Sequence, residues 1–114
     1  MKLMIAGSRS IQNFNLAPYI PAETHCIICG GAHGIDQLAE EYADRHRLSK
    51  YIIRPLYSLY GRAAPLKRNC QMVDMADAVL VIWDGVSTGT QHTIRYAKKA
   101  NKPLTIVEIP SSSR

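Results

Sequence analysis

The sequence predicts a single α/β domain of Rossmann-like type, in which helices flank a mostly parallel sheet of five strands. Residues 78–83 form a continuous apolar run that stops at Asp84-Gly85, as expected for a strand that is buried on both faces of a parallel sheet. Further short apolar runs alternate with stretches of helical periodicity, which is typical of three-layer α/β domains. The 114 residues suffice for one domain, which we predict at 1–109 with a flexible tail at 110–114.

Composition favours a cytoplasmic protein that recognises an anion. Residues 1–6 are too short an apolar stretch for a signal peptide, and no run approaches the length of a membrane span. The three cysteines form an odd set without a secretory signal, so they do not indicate a disulfide scaffold. The net charge of +5 is spread along the chain, which favours a small phosphate-containing ligand over nucleic acid. No membrane, metal or cofactor is expected.

Each predicted element follows from periodicity and stop signals. Helical spacing of apolar residues indicates a helix over 35–46, and weaker patterns indicate helices over 66–75 and 90–100. In the second of these helices Leu66 and Val73 are predicted core contacts, together with Ala76 after its end. Pro18 and Pro21 limit any helix after the first strand to about 11–19, with Ser10 as its N-cap, and residues 56–65 are predicted as a loop. The predicted strands cover 2–6, 25–30, 51–53, 78–83 and 104–109.

Three loops that follow strands carry the candidate ligand-binding residues. Right-handed crossovers between parallel strands bring such loops to one edge of the sheet, where ligands bind at the switch in strand order. The first loop is Gly7-Ser8-Arg9, whose arginine can hold phosphate bidentately. A tight turn with a surface arginine is the alternative.

The second loop is rich in glycine and precedes a helix. It contains Gly30, Gly31, His33 and Gly34 ahead of Asp36, and it favours the cradling of phosphate or ribose, although its spacing matches neither the Walker A loop nor the dinucleotide fingerprint. Asp36 either caps the helix or faces a sugar hydroxyl or anomeric carbon.

The third loop follows the central apolar strand and gives the strongest signal. After Asp84-Gly85 come Ser87-Thr88-Gly89-Thr90 at the start of a helix, where unpaired N–H groups and the helix dipole attract anions. Serine and threonine are also ordinary N-caps.

Two further groups have competing interpretations. Arg68-Asn69 are predicted ligand contacts within an aromatic and basic stretch that also contains Tyr57 and Tyr60; this stretch either stacks a base and pairs with phosphate or forms a solvated loop. Cys26 and Cys29 form a C-x-x-C pair, but positions three apart on a strand point to opposite faces, so we predict core cysteines rather than a zinc or redox site.

The ordered set of these motifs resembles the SLOG superfamily, the Rossmann-like group that includes DprA and LOG proteins, and most closely its small stand-alone DUF2493 type. The resemblance covers residues 2 to about 108. It rests on four motifs: Gly7-Ser8-Arg9, residues 30–36, Arg68-Asn69 with Met72, and residues 76–90. It implies a cleft for a nucleotide or a nucleotide-derived, ADP-ribose-like ligand. Relatives include enzymes that release a base from nucleoside monophosphates, sensors, and proteins that bind single-stranded DNA.

The chain departs from the LOG pattern after the glycine-threonine turn. LOG proteins carry a catalytic glutamate three residues on, whereas Gln91, His92 and Thr93 follow here. We therefore expect a sensor or sequestering protein. The alternatives are an N-glycosidase or deoxyribosyltransferase that uses Asp36 or Asp84, and a nucleic-acid binder supported only by the positive charge. A homodimer is left open.

Overall fold

The computed structural model describes residues 1–110 and contains one five-stranded sheet in which every pair of neighbouring strands is parallel. Most of the predicted tail, from residue 111 on, lies outside the described residues. The α/β class and the five strands are thus confirmed, and the sheet is wholly rather than mostly parallel. The strands are β1 (Lys2–Gly7), β2 (Cys26–Cys29), β3 (Ser49–Ile52), β4 (Ala78–Trp83) and β5 (Leu104–Glu108).

The strand order β3-β2-β1-β4-β5 contains one reversal. The chain moves outward from β1 through β2 to β3 and then returns to place β4 on the other side of β1. Five residues of β1 pair with β4, from Leu3 opposite Ala78 to Gly7 opposite Ile82. The carboxyl ends of β1 and β4 therefore lie side by side, and the gap between their outgoing loops is the position at which open α/β sheets bind ligands.

Residues 1–110 contain four α-helices: α1 (Ile35–Arg45), α2 (Tyr57–Tyr60), α3 (Ala64–Met75) and α4 (Thr88–Lys99). Helix α1 covers one face of the sheet and helices α3 and α4 cover the other, whereas the short α2 buries no residue. The side chains of Leu3 and Ile5 join the core under α1, while Met4 and Ala6 join the core under α3 and α4. This alternation along β1 shows directly that the central strand is buried on both faces. None of the helices in residues 1–110 is long and apolar enough to cross a membrane.

Cys26 and Cys29 are buried in the cores on opposite faces of the sheet, which confirms the prediction of core cysteines. Desolvation, as the largest influence, raises the pKa of the Cys29 thiol to about 12, and the nearby Asp36 and Glu40 carboxylates raise it further. The thiol is therefore neutral and serves as a small apolar side chain.

The structure corrects three local predictions. Residues 11–16 are irregular because Ile11 and Leu16 are buried under the α1 side of the sheet, and only a 3₁₀ turn forms, at Ala17–Tyr19. The stretch predicted as a loop contains α2 and a second 3₁₀ turn at Gly61–Ala63 that leads into α3. Leu66 is 40% exposed and is not a core contact, whereas Val73 and Ala76 are buried as predicted.

Candidate functional site

A cleft of about 420 Å³, called the main cleft below, opens at the carboxyl ends of β1 and β4. The loops after these strands form two of its sides, and the start of α3 forms a third. Its lining contains residues that were predicted from all three loops and from α3. These predicted residues are Gly7, Ser8, Arg9, Asp36, Arg68, Asn69, Ser87, Thr88, Gly89 and Thr90.

Asp84 ties the two central loops together. Its Oδ1 accepts hydrogen bonds from the backbone N–H groups of Val86 (2.9 Å) and Ser87 (2.8 Å), and its Oδ2 accepts from the hydroxyls of Ser87 (2.7 Å) and Ser10 (3.1 Å). The Asp84 backbone N–H in turn donates to Ser8 Oγ at 3.0 Å. The bonds with Ser8 and Ser10 link the β4 loop to the β1 loop, and those with Val86 and Ser87 hold the β4 loop itself.

The carboxylate of Asp84 is held in its charged form. Burial acts to raise its pKa, but the backbone donors of Val86 and Ser87 and the two serine hydroxyls outweigh burial and hold the pKa well below its usual range. Asp84 is only 8% exposed and does not line the main cleft. Its carboxylate oxygens accept hydrogen bonds from the β4 loop and from Ser10 instead of lining the cleft.

The first turn of α4 presents unpaired backbone donors to the cleft. Ser87 occupies the N-cap position, but its hydroxyl bonds Asp84 and makes no capping bond. Within residues 1–110, the backbone N–H groups of Thr88, Gly89 and Thr90 have no hydrogen-bond acceptor, and the first paired one is that of Gln91, which donates to Ser87 O at 3.1 Å. Three such donors at the positive end of a 12-residue helix form a suitable site for an anion.

Gly89 differs from the other glycines of this site because no contact among residues 1–110 requires a glycine there. A Cβ atom built there meets no atom within 4 Å, and its φ lies outside the left-handed region. Glycine inside a helix is less stable than alanine by roughly 0.5–1 kcal/mol. A glycine that packing and backbone geometry do not require, placed beside a cleft, favours close approach of a ligand to the backbone.

Arg68 is a buried cation that joins α3 to the ends of β2 and β3. Its Nη1 donates to Gly30 O at 2.7 Å and to Ile53 O at 3.3 Å, and its Nε donates to Asn69 Oδ1 at 2.9 Å. Its side chain is 7% exposed, so its removal would leave two carbonyl groups without their donor. Arg68 thus has a structural role in addition to lining the cleft, and we expect its replacement to destabilise the fold.

Asp36 lies beside this arginine in the first turn of α1. Its Oδ2 accepts the backbone N–H of Ala32 at 3.1 Å. Burial raises the pKa of the carboxyl, while the Ala32 N–H and the Arg68 charge oppose that rise. Of the acidic residues in the described part of the chain, Asp36 alone lines the main cleft.

The glycine loop after β2 does not face the main cleft as a unit. Gly30 and Gly31 line a neighbouring space of about 260 Å³, called the arginine recess below, which shares Arg9, Ala32 and Arg68 with the main cleft. His33 and Gly34 line a different depression, with Gln12 and Asn13. Asp84 and Gly85 line none of these three spaces.

Several lining residues were missed by the sequence analysis. Arg54 lies two residues after the end of β3 and lines the arginine recess, as does Tyr57 of the predicted aromatic and basic stretch. Its position after a strand is the same signal that singled out Arg9, so the strand-end rule would have found it. Thr93 lies one helical turn beyond Gly89 and Thr90 and also lines the main cleft. Leu66 lines it as well, and this role replaces the predicted core contact.

Comparison with known proteins finds a phage protein that is similar to this chain. The Gene 61 protein of Mycobacterium phage D29 is 33% identical to this chain over 84 residues, which cover 68% of this chain and 67% of the phage protein. No protein-family model matches the chain. No solved structure matches it either.

Proposed function

This chain belongs to the same family as the Gene 61 protein of Mycobacterium phage D29, and we propose that it binds a nucleotide or nucleotide-derived ligand in the main cleft, as a sensor or sequestering protein. The observation that carries the proposal is the set of three unpaired N–H groups at the start of α4, on residues that line a cleft at the strand-order reversal. Arg9 and Arg68 add positive charge around the same space. Phosphate is the anion that this combination suits best.

Membership of the SLOG superfamily belongs to the same proposal. The all-parallel sheet with its single reversal supports it, as does the convergence of Gly7, Arg68 and the 87–90 loop on one cleft. Ser8 supports it further, because its hydroxyl accepts the Asp84 N–H and so links the first motif to the last.

A thermal-shift and calorimetry panel tests ligand binding directly. The probes are AMP, ADP and ADP-ribose, with adenosine as the control that lacks phosphate. A phosphate ligand at one hundred times its dissociation constant should stabilise the fold by about 2.7 kcal/mol, which is an upward shift of several degrees in Tm. Adenosine should give a much smaller shift. The absence of any shift with millimolar concentrations of all three phosphate-containing probes would reject the proposal.

The variant Gly89→Ala should change the affinity for a phosphate ligand without lowering the stability of the fold. We expect the variant to be as stable as the wild type or more stable by about 0.5 kcal/mol, since the added methyl meets no atom and glycine is a poor helix residue. We also expect phosphate-ligand affinity to fall by about tenfold, because the methyl keeps the anion from the first-turn donors.

Urea denaturation and calorimetry on the same preparation measure both quantities. Gly61→Ala is the control for stability, because Gly61 lies away from the main cleft. A Cβ built at Gly61 also meets no atom within 4 Å, but the backbone there has a left-handed φ of 55°. This variant should lower stability and leave affinity unchanged. Unchanged affinity in Gly89→Ala would remove the first turn of α4 from the binding site.

The second candidate function is cleavage of an N-glycosidic bond, which the burial and raised pKa of Asp36 favour. Such a reaction needs a carboxylate that attacks or stabilises the cationic sugar carbon. The oxygens of Asp84 already accept hydrogen bonds from Val86 and Ser87. Asp36 would then act without a second acidic side chain among the described residues that line the cleft.

We expect no release of base from nucleoside monophosphates. Incubation with a panel of them, followed by chromatography for free base, measures this. Turnover that disappears in Asp36→Asn and persists in Glu41→Gln, an exposed neighbour on the same helix, would establish the enzyme and reject the sensor. General acid–base catalysis contributes about 10²–10⁴ in rate, so its loss would be readily measured.

A further inference from the structure

The arginine recess adds a second region of positive charge to the site. Arg9, Arg54 and Arg68 line it, and they come from the β1 loop, the segment after β3 and helix α3. No carboxylate belongs to the described lining of this recess. The positive charge of Arg9 repels that of Arg68, and an anion bound among these arginines would relieve the repulsion.

The three arginines are held in different ways. Arg68 is buried and already bonds Gly30 O and Ile53 O, and the Asp36 carboxylate acts on its charge. Arg54 is exposed, and its Nη1 donates to Gly31 O at 3.3 Å, which holds the guanidinium over the glycine loop. In the described part of the chain neither Arg9 nor Arg54 forms an ion pair. These two side chains therefore keep most of their donors for a ligand.

Arg9 connects the recess to the main cleft, since it lines both spaces. A ligand whose first phosphate lies at the start of α4 can therefore extend past Arg9 into the recess. There Tyr57, 58% exposed, forms part of the wall and offers an aromatic surface. Gly31 leaves room for the Arg54 guanidinium, since a Cβ at this position would lie 2.6 Å from Arg54 Nη1.

We propose that the arginine recess is a second phosphate subsite, formed by Arg9 and Arg54, and that the ligand is a nucleotide with two phosphate groups. This inference rests on the proposed function, because the first phosphate must occupy the main cleft. It deepens that function by assigning Arg54 a role in selecting bisphosphorylated or diphosphate-containing nucleotides over monophosphates.

The test compares three adenine nucleotides by calorimetry at fixed ionic strength: AMP, ADP with contiguous phosphates, and adenosine 3′,5′-bisphosphate with separated ones. We expect the wild type to bind ADP or the bisphosphate at least about tenfold more tightly than AMP, as a charge-assisted contact predicts. Arg54→Gln should abolish that preference while AMP affinity stays within about twofold. Which of the two ligands gains affinity identifies the phosphate arrangement.

Arg95→Gln is the matched control, since it removes one exposed positive charge from α4 and lines neither space. It should leave the preference intact. Equal wild-type affinities for all three nucleotides, or a preference that Arg54→Gln does not change, would overturn the second subsite while leaving phosphate binding in the main cleft established. If none of the three nucleotides binds, the second subsite and the proposed function both fail.

Discussion

Gly7→Ala should destabilise the fold by about 3 kcal/mol or more, the upper end of what overpacking of a core costs. A Cβ at this position would lie 2.5 Å from Ile35 Cγ1 and 2.6 Å from Ile82 O. The carbonyl cannot retreat freely, because it accepts the Ser8 N–H at 3.0 Å and belongs to the strand that pairs with β1. Movement of Ile35 would in turn displace the start of α1 from the sheet.

Urea denaturation followed by circular dichroism measures this loss, and Gly89→Ala is the matched control. Both variants add one methyl to a glycine beside the main cleft, but the Gly89 methyl meets no atom. If the Gly7 variant does not fold at all, limited proteolysis of the two proteins side by side gives the same ranking. Equal stability of the two variants would show that α1 does not pack against β1 as closely as described.

Asp84→Asn should lower the free energy of unfolding by about 2 kcal/mol at pH 7, since a charged acceptor of four hydrogen bonds is replaced by an amide. The amide keeps the shape of the side chain but has one acceptor oxygen in place of two. We expect the lost bonds to loosen the connection between the β1 and β4 loops, so that affinity for a phosphate ligand falls together with stability.

The stabilisation that the Asp84 carboxylate provides should depend on pH, and its lowered pKa fixes the direction of that dependence. The pKa of Asp84 in the folded chain lies below that of the unfolded chain, which is about 3.9. The stabilisation is therefore fully present at neutral pH and is lost as the pH falls from about 4 toward the folded-state pKa. Denaturation of wild type and variant between pH 7 and pH 3 should show their difference in stability narrowing.

Glu41→Gln is the control for the loss of a carboxylate, because Glu41 is exposed on α1. It should unfold at nearly the wild-type urea concentration at pH 7. A difference between wild type and Asp84→Asn that stayed constant down to pH 3 would contradict the assigned hydrogen bonds.

Hydrophobic periodicity was sufficient to predict the long helices and strands but not the short elements. The strand at 78–83 was predicted at its observed bounds, because an unbroken apolar run fits a strand that is covered on both faces. Helix α1 was predicted within one residue of its observed end. By contrast, α2 has four residues and leaves no periodic pattern, and residues 11–16 are shaped by the burial of Ile11 and Leu16 rather than by local propensity.

The sequence predicted which types of residue form the candidate site better than it predicted their arrangement in space. The rule that loops follow parallel strands toward one edge selected Arg9, Ser87 and Gly89, and these do line one cleft. The same rule grouped His33 with them, but α1 begins immediately after Gly34 and the turn carries His33 to a different depression. Asp84 matched the pattern of a strand-end acid, yet its oxygens satisfy donors of its own loop.

The sequence by itself determined the fold class, the succession of strands and helices, and the glycine and hydroxyl loops at the strand ends, because these features follow from local periodicity and turn chemistry. Only the tertiary structure decided which strands are neighbours. The lateral order of parallel strands depends on how helices pack over both faces, and no local pattern encodes it. The placement of β4 beside β1 set Gly7 against Ile82, bonded Ser8 to Asp84, and put Arg9 in the same cleft as the first turn of α4.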